Sequence, residues 1–447
     1  MIIKKYKQVN MSIQVGKISV DNIVDAAKEF GTPSYLYDEA TILEKCANVK
    51  AMPNAFGLEP RFAMKANSNI AVLQLITGEG INIDASSFNE VRRAKFAGIA
   101  LDRIMYTSQE VLVGEERAEF ETMMLEGLKY NVCSRLQLEM VADLLVENDI
   151  KISMRVHPGV GSGESAARNT GDKYSCFGIH LADLEEVIQY ADNRGIIINA
   201  VHVHIGSGGD PAAWRDNIDL ELSFVEKFFP NAETASFGGG FKVARMPGES
   251  EADIQGLGAY AKERIEDFYQ RTGRKLKMEI EPGTYYVANC GYLVTRVMDK
   301  KKTGADGFEF ILTDGGMEVN TRPLLYGSVH PFYLVSKEGK LMSDEYDLSG
   351  LDSEKDQRII VGRCCESGDS QSLDESGCIV PRVMANPNVN DFVVVGGCGA
   401  YCATMTPFNY NSQVQVPEIL VRSNGSIKLV RKRQSVLDVY KNDLPLN

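Results

Sequence analysis

The chain lacks the features that would attach it to a polyanion or place it in a membrane. Its 447 residues contain 48 Lys and Arg against 61 Asp and Glu, so the net charge is −13 and attraction to nucleic acid or an anionic lipid surface is excluded. No uninterrupted apolar run approaches the length of a membrane span. Residues 1–20 lack the apolar stretch and cleavage pattern of a secretory signal, so we expect a cytoplasmic protein.

Disulfide and zinc patterns are also missing. The nine cysteines are an odd number at irregular spacings, unlike the dense framework of a small secreted scaffold. No Cys-x-x-Cys pair is present, which argues against a structural zinc site. We therefore expect reduced thiols and no metal.

What the sequence does contain is an alternation of short β-rich runs with helical stretches between about residues 37 and 281. Such alternation predicts βα units around a parallel sheet. The eight runs are RFAMK (61–65), INIDA (81–85), RIMYT (103–107), YNVCS (130–134), ISMRV (152–156), AVHVH (200–204), TASFG (234–238) and KMEIE (277–281). Eight repeats predict an α/β domain of the (β/α)8 TIM-barrel type.

After residue 281 the pattern changes to short strand-like runs without long helices. The runs are YLVTRVMD, FEFILTD, HPFYLVS, QRIIVGR, DFVVVGG, EILVRS and SIKLVRK. They predict a second, C-terminal β-barrel or sandwich domain made of residues 1–36 and 282–447, to which the N-terminal segment adds a strand or two. The polar stretch 337–357 is expected to be a solvated loop.

In such a barrel the carboxyl ends of the strands meet at one mouth, where catalytic residues collect. The predicted ends include Lys65, Asp84, His204 and Glu281. A semi-buried lysine can form a Schiff base with an aldehyde, and a carboxylate can accept a hydrogen bond from a protonated pyridine nitrogen. On frequency alone a lysine is more often a surface residue with a buried stem, so its neighbours decide between the two interpretations.

Two glycine-containing segments predict an anion site. SFGGGFK places Gly238, Gly239 and Gly240 after the seventh strand, where barrels often hold phosphate, and HVHIGSG places Ser207 between glycines. Either segment could be an ordinary turn, and one of the two histidines in HVH could simply pack in the core. Lysine, anion site, ring contact and carboxylate are together the requirements of pyridoxal 5′-phosphate.

The C-terminal domain contributes a further set of chemical groups. Cys365 and Glu366 offer a proton donor beside a carboxylate, and Arg322 offers a bidentate contact for a substrate carboxylate. Tyr326 and Tyr401 are suited to orienting substrate or phosphate. The alternative is that the cysteine segment is a turn and that the tyrosines belong to the core.

Taken in order, these segments resemble one enzyme family along nearly the whole chain. The series is GTPSYLYD, AMKAN, DASSFNE, HVHIGSG, GGG, EPG, RPLLY, CESGD and GAY. It resembles the alanine-racemase-like (fold-type III) decarboxylases that use pyridoxal phosphate, and most closely their diaminopimelate decarboxylase group. The resemblance implies a Schiff base at Lys65, stacking by His204 and pairing of Glu281 with the pyridine nitrogen. The implied cofactor contacts further include Asp84, Ser207, Gly238–Gly240 and Tyr401.

The resemblance also implies a homodimer with shared active sites and conversion of meso-diaminopimelate to L-lysine and CO2. Cys365 of one subunit is then the proton donor in the site of the other, and Glu366 contacts the distal amino group. Arg322 and Tyr326 match the family's carboxylate-binding pattern, and Tyr401 also faces the substrate.

Departures from the family pattern leave other functions open. The family's EPGR is EPGT here, and the Thr284 hydroxyl does not replace a planar cation. One alternative is a decarboxylase of the same fold acting on ornithine, arginine, carboxynorspermidine or an amino-acid conjugate. A barrel racemase is less favoured, and a non-catalytic barrel regulator is the alternative from another class.

Overall fold

The computed structural model describes residues 13–161, 170–206, 211–349 and 354–446. The first domain is a closed barrel of eight parallel strands, which confirms the predicted fold class. Numbered from one to eight along the barrel, the strands are Leu58–Ala63, Asn82–Ala85, Ile104–Thr107, Lys129–Val132, Ile152–His157, Ile198–His202, Thr234–Ser236 and Lys277–Ile280. Barrel strand eight pairs with strand one, with Met278 opposite Leu58, and strand five pairs with strand six, with Arg155 opposite His202.

All eight predicted runs contain a strand, but several ends are displaced. Lys65 lies in the 3-10 turn Met64–Ala66 that follows barrel strand one, and His204 lies two residues beyond strand six. Such displacement is ordinary at strand ends, and it moves both side chains into the loops of the mouth.

Helices cover the outside of the barrel. The main ones are Glu39–Lys50, Ile70–Gly78, Phe88–Phe96, Gly114–Leu125, Arg135–Glu147, Leu181–Arg194, Pro211–Phe228 and Ile254–Thr272. Several begin at side-chain caps, as where Ser87 accepts a hydrogen bond from the Glu90 backbone N–H and Ser134 accepts one from that of Gln137. None of the described helices combines the length and apolarity needed to cross a bilayer.

The second domain contains a ten-stranded sheet centred on the long strand Gly291–Lys302. Its other strands are Ser34–Asp38, Glu309–Thr313, Phe332–Val335, Leu341–Asp344, Lys355–Val361, Arg382–Ala385, Phe392–Val395, Glu418–Val421 and Ile427–Arg431. Ser34–Asp38 pairs with both Gly291–Lys302 and Glu418–Val421, so the predicted domain boundary at residue 37 falls inside a strand of this sheet.

The N-terminal segment adds a strand to the large sheet, as expected, through Ser34–Asp38. Its SIQVGKISV part forms a separate hairpin of Gln14–Val15 and Ile18–Ser19. The stretch 337–357, expected to be a loop, contains Leu341–Asp344 and the start of Lys355–Val361. In Leu341–Asp344 buried and half-buried residues alternate, a period-two signal too short to recognise among polar neighbours.

The remaining elements lie outside the eight barrel helices, the eight barrel strands and the ten-stranded sheet. They are the helices Val20–Phe30, Thr284–Val287, Arg322–Tyr326 and Val436–Tyr440, the strand Ile179–His180, and the 3-10 turns Leu101–Arg103, Ala288–Cys290 and Tyr410–Ser412. Thr284–Val287 and Arg322–Tyr326 matter most for the site, because each begins at a residue discussed below.

A network of charged side chains lies inside the barrel and makes its stability sensitive to acid. Burial by itself raises the pKa of Glu59, but Arg61, Lys277 and Lys129 lower it to about 2 from an ordinary value of 4.5. A carboxylate whose pKa is lowered on folding stabilises the fold above its unfolded pKa and loses that contribution as the pH falls.

We therefore expect about 3 kcal/mol of folding stability to disappear between about pH 4.5 and pH 2 through Glu59. Denaturant unfolding measured across this range checks the prediction. Glu59→Gln should flatten the pH dependence, whereas Glu126→Gln, which alters an exposed ion pair with Lys95, should not. An unchanged acid slope in Glu59→Gln would contradict the assignment.

Candidate active site

The carboxyl ends of the barrel strands open onto a cavity of about 410 Å³, within the usual size range of a small-molecule site. It brings together six of the residues predicted from the sequence. These are Lys65, Asp84, His204, Gly240, Glu281 and Tyr401. Ser207 lies outside the described residues.

Lys65 reaches the cavity from a turn that the second domain holds in place. The Tyr401 backbone N–H donates to Ala66 O at 2.8 Å, and the Thr404 hydroxyl donates to Lys65 O at 3.1 Å. Burial alone lowers the pKa of Lys65, but Tyr401 and Asp84 outweigh this effect, so the pKa is raised. The free amine is therefore protonated at neutral pH and must lose a proton before it can act as a nucleophile.

Glu281 is backed by His202. His202 Nδ1 lies 2.7 Å from Asn131 Nδ2, and in this amide orientation the imidazole proton belongs on Nε2. That Nε2 lies 3.2 Å from Glu281 Oε2. Burial first, and then Arg155 and His204, lower the pKa of His202 well below its usual range, so the ring is neutral.

The charge of Glu281 depends on what occupies the cavity. Burial, followed by Asp84 and Glu279, raises the pKa of Glu281 well above its usual range, while Arg61 and Arg155 oppose the shift. These surroundings therefore favour the protonated carboxyl. A cationic ring nitrogen placed against it would favour the ionised form.

The glycine run forms a backbone surface beside His204. Gly238 has a φ of +65°, and a Cβ on it would lie 2.6 Å from His204 Nδ1. A Cβ on Gly239 would lie 2.5 Å from the backbone oxygen of Glu281. The Gly239 N–H donates to His204 Nδ1 at 3.2 Å, which fixes the ring, and only glycine fits this close approach. Gly240 alone of the three lines the cavity.

Arg322 and Tyr326 lie behind Tyr401 rather than in the cavity wall. The Arg322 guanidinium carbon is 5.9 Å from the centre of the Tyr401 ring and 5.8 Å from that of Tyr326. Arg322 is buried and donates to the Ser328 hydroxyl at 3.1 Å. Three of the four predicted substrate residues from this domain thus form one cluster, with Tyr401 facing the barrel mouth.

Cys365 and Glu366 are not brought to the cavity of their own chain. Both are exposed, and the Cys365 backbone N–H donates to Asn411 Oδ1 at 3.0 Å. Glu366 Oε1 accepts hydrogen bonds from the Ser367 hydroxyl and the Gly368 N–H. Their side chains are available at the surface for a contact with another molecule.

Beside them, Cys364, Glu318 and Asp369 form a cluster whose potential ligand atoms lie within 4.8 Å of one another. The Asp369 carboxylate accepts from the backbone N–H groups of Met317 and Cys364 at 2.6 Å each. Glu318 accepts from Arg363 and from the Gly316 N–H. These groups are engaged with the protein's own donors, and the absence of a metal stays a prediction.

Sequence reasoning missed much of the cavity wall. The further lining residues are Ala63, Ser86, Thr107, Ser108, Gln109, Glu110, Arg155, Phe177, His202, Phe241, Gly283 and Thr284. Of these, Thr107 and Arg155 belong to the predicted strands that end at the mouth, and Thr284 is the departure from the family pattern noted above. The sequence leaves open which histidine of HVH packs in the core, and both His202 and His204 line the cavity. The residues from loops, such as Gln109 and Phe177, carry no periodic signal.

Comparison with known proteins agrees with this geometry. The model of the pyridoxal-dependent decarboxylase family's pyridoxal binding domain matches residues 39–288. Diaminopimelate decarboxylase of Escherichia coli K12 is 30% identical over 434 residues, 96% of this chain and 97% of that protein. Diaminopimelate decarboxylase of Methanothermobacter thermautotrophicus is 31% identical over 429 residues, 94% and 93% of the two chains. A crystal structure of diaminopimelate decarboxylase gives a TM-score of 0.85 at 29% identity, covering 96% of this chain and 97% of that one. The chain belongs to the pyridoxal-dependent decarboxylases.

Proposed function

We propose that the protein decarboxylates meso-diaminopimelate to L-lysine and CO2 with pyridoxal 5′-phosphate as cofactor. The observation that carries the proposal is the convergence of Lys65, His204 and Glu281 on one cavity at the barrel mouth. The relatives named above, which this chain matches over nearly its whole length, bear the name of that reaction.

The donor set of the cavity fits this cofactor. Asp84 Oδ1 is buried and has no hydrogen-bond partner among the described residues, and Glu281 gains a counter-charge only when a cation faces it. The glycines at 238–240 lack side chains that would fill the space beside His204, and Gly240 brings backbone to the cavity wall where a phosphate could be held. Lys65 would hold the aldehyde carbon, Glu281 the ring nitrogen, and His204 one face of the ring. Ser207, Gly238–Gly240 and Tyr401 would hold the phosphate.

When bound, pyridoxal phosphate accepts the electron pair left by loss of the carboxylate. The protein's own residues bind and orient the reacting groups. Glu281, supported by neutral His202, keeps a negative charge at the ring nitrogen. Lys65 would hold the aldehyde carbon when no substrate is bound, and its amine, once displaced by the substrate amine, would be available to hold or transfer a proton.

We place substrate recognition at the junction of two subunits. In one subunit, Tyr401 together with Arg322 and Tyr326 behind it would bind a carboxylate of the substrate. Cys365 from a second subunit would deliver a proton to the reacting carbon, and Glu366 would bind the distal ammonium group. This placement is supported by the exposure of Cys365 and Glu366 away from their own cavity. The free cysteines suit the reducing cytosol, where we expect the homodimer to work.

The test is a panel of amino acids incubated with cofactor-loaded protein, with CO2 release and product mass measured. We expect turnover of meso-diaminopimelate with lysine as product. No turnover of diaminopimelate together with robust turnover of another amino acid would overturn the substrate proposal. A colourless protein that binds no cofactor would overturn the enzymatic proposal as a whole.

One observation favours a second substrate class. Thr284 lines the cavity at the start of the helix Thr284–Val287, where a hydroxyl provides no charge for a second carboxylate. A substrate with a single carboxylate, such as ornithine, arginine or carboxynorspermidine, or an amino-acid conjugate, is therefore the alternative. The same panel separates the two, because only diaminopimelate offers a distal carboxylate.

A prediction about the dimer follows from this assignment. Lys65→Ala and Cys365→Ala variants should each be inactive alone but regain activity when mixed under conditions of subunit exchange. Random exchange produces heterodimers in which one of the two sites is intact, so about one quarter of all sites should work. Activity of the mixture is the measurement.

Cys378→Ala provides the control for the mixing experiment, because Cys378 is also exposed but is assigned no role. It should remain active alone. If mixing the Lys65→Ala and Cys365→Ala proteins restores nothing although native mass spectrometry shows heterodimers, the shared site is wrong.

A further inference from the structure

A buried glutamate stands behind the barrel wall and is used by none of the steps above. Glu221 lies on the helix Pro211–Phe228, which packs against barrel strands six and seven. Its exposed fraction is 0%, and neither carboxyl oxygen has a hydrogen-bond partner of normal geometry among the described residues. An ionised carboxylate in such a place would carry a large desolvation cost.

The electrostatic surroundings also disfavour the ionised form. Burial, followed by the charges of Glu281 and Glu279, raises the pKa of Glu221 well above its usual range. Glu279 is paired with Arg61 at 2.8 Å, so that cation is already engaged. The charged groups that act on Glu221 are therefore acidic. A proton on the Glu221 carboxyl removes its repulsion with them.

Asn217 supplies an acceptor for that proton. It lies one helical turn before Glu221, on the same buried face of the helix. Its Nδ2 donates to Val203 O at 3.5 Å, which directs the amide, and its Oδ1 has no partner among the described residues. A hydroxyl on Glu221 would satisfy Asn217 Oδ1 and one carboxyl oxygen together.

Ser236 connects this pair to the active site. It lies at the end of barrel strand seven with an exposed fraction of 0%. Its hydroxyl donates to Glu281 Oε1 at 3.4 Å, and its strand is one of the two against which the helix bearing Glu221 packs. Ser236 therefore lies between that helix and the Glu281 carboxyl.

We infer that Glu221 is a positioning residue, a neutral carboxylic acid that donates to Asn217 and, through Ser236, fixes the Glu281 carboxyl toward the cofactor. The role of Glu281 in this inference rests on the proposed function. If Glu221 were ionised, a second negative charge near Glu281 would favour the protonated form of Glu281. Neutral Glu221 leaves the site's negative charge to the carboxyl that faces the ring nitrogen.

The protonation state can be measured without activity. Infrared spectra of the full-length protein, recorded across neutral pH, should contain a protonated-carboxyl stretching band that is lost in Glu221→Gln. Loss of no band in Glu221→Gln, with the variant folded, would overturn the neutral assignment. This readout is independent of whether the protein decarboxylates anything.

The positioning role is tested on cofactor-loaded protein with a matched pair of variants. Glu221→Gln retains a donor and should keep kcat and the pH–rate profile within about twofold of wild type. Glu221→Leu has no donor, and its kcat should fall about tenfold with KM unchanged, the loss expected for one buried hydrogen bond. Its pH–rate profile and the absorbance of the bound cofactor should shift as well.

The outcomes separate the two proposals. Equal activity and equal pH profiles in Glu221→Leu and wild type would overturn the positioning role while leaving the proposed function intact. If wild type binds no pyridoxal phosphate, the proposed function fails, and the infrared result still decides whether Glu221 is neutral. Should Glu221→Leu not fold, Ser236→Ala, which removes the hydroxyl that contacts Glu281, should reproduce the shift in the pH profile or contradict it.

Discussion

The Lys65→Ala variant is expected to lose decarboxylation of meso-diaminopimelate by roughly 10³-fold or more and to lose covalent attachment of the cofactor. Lys65 is the only lysine among the described residues that line the cavity, so no second amine can take its place. Alanine leaves the turn Met64–Ala66 intact, because that turn is held through the backbone oxygens of Lys65 and Ala66.

Two measurements distinguish lost chemistry from lost folding. Borohydride reduction followed by peptide mass should place the cofactor on Lys65 in wild type and nowhere in the variant. Lys95→Ala removes an exposed lysine paired with Glu126 and should retain full activity. Undiminished turnover in Lys65→Ala, or a cofactor-bearing peptide from elsewhere in the chain, would show that Lys65 is not the attachment site.

The barrel was predictable because each of its strands is covered on both faces. Strands such as Ile104–Thr107, with all four residues buried, appear in the sequence as short runs rich in apolar and β-branched residues between helical patterns. The edges of the second sheet were harder to predict. Leu341–Asp344 and Arg382–Ala385 are four residues each, and both contain charged residues that made them resemble loops.

The candidate site was predictable only where fold geometry places side chains. Lys65, Asp84 and Glu281 follow from the rule that strand ends meet at the barrel mouth, and they line one cavity. Gln109 and Phe177 lie in loops, whose conformation depends on tertiary contacts rather than on any local pattern. The helical pattern places Glu221 on the buried face of its helix. Which charged groups surround it depends on how the helix packs on the barrel, and the sequence does not show this.

The Arg61→Met variant is expected to lose about 3–5 kcal/mol of folding stability, because it leaves a buried charge without its partner. Arg61 has an exposed fraction of 1% and Nε lies 2.8 Å from Glu279 Oε2, while its Nη2 contacts Glu59. Without Arg61, Glu279 loses its ion-pair partner, and Glu59 retains only its contacts with Lys129 and Lys277. The midpoint of denaturant unfolding at neutral pH is the measurement.

The double variant Arg61→Met with Glu279→Leu tests the reason for that loss. Removing both charges leaves no buried carboxylate at 279, so the double variant should be more stable than Arg61→Met alone. Arg271→Met, which breaks an exposed pair with Glu226 at 2.9 Å, should cost less than about 1 kcal/mol. If Arg61→Met matched this surface control, the interior network would contribute little to stability.

Arg61 also lowers the pKa of Glu281, so in the folded fraction of Arg61→Met the acid limb of the pH–rate profile should move to higher pH. One interior cation thereby supports both the barrel and the charge that the proposed chemistry needs at its mouth.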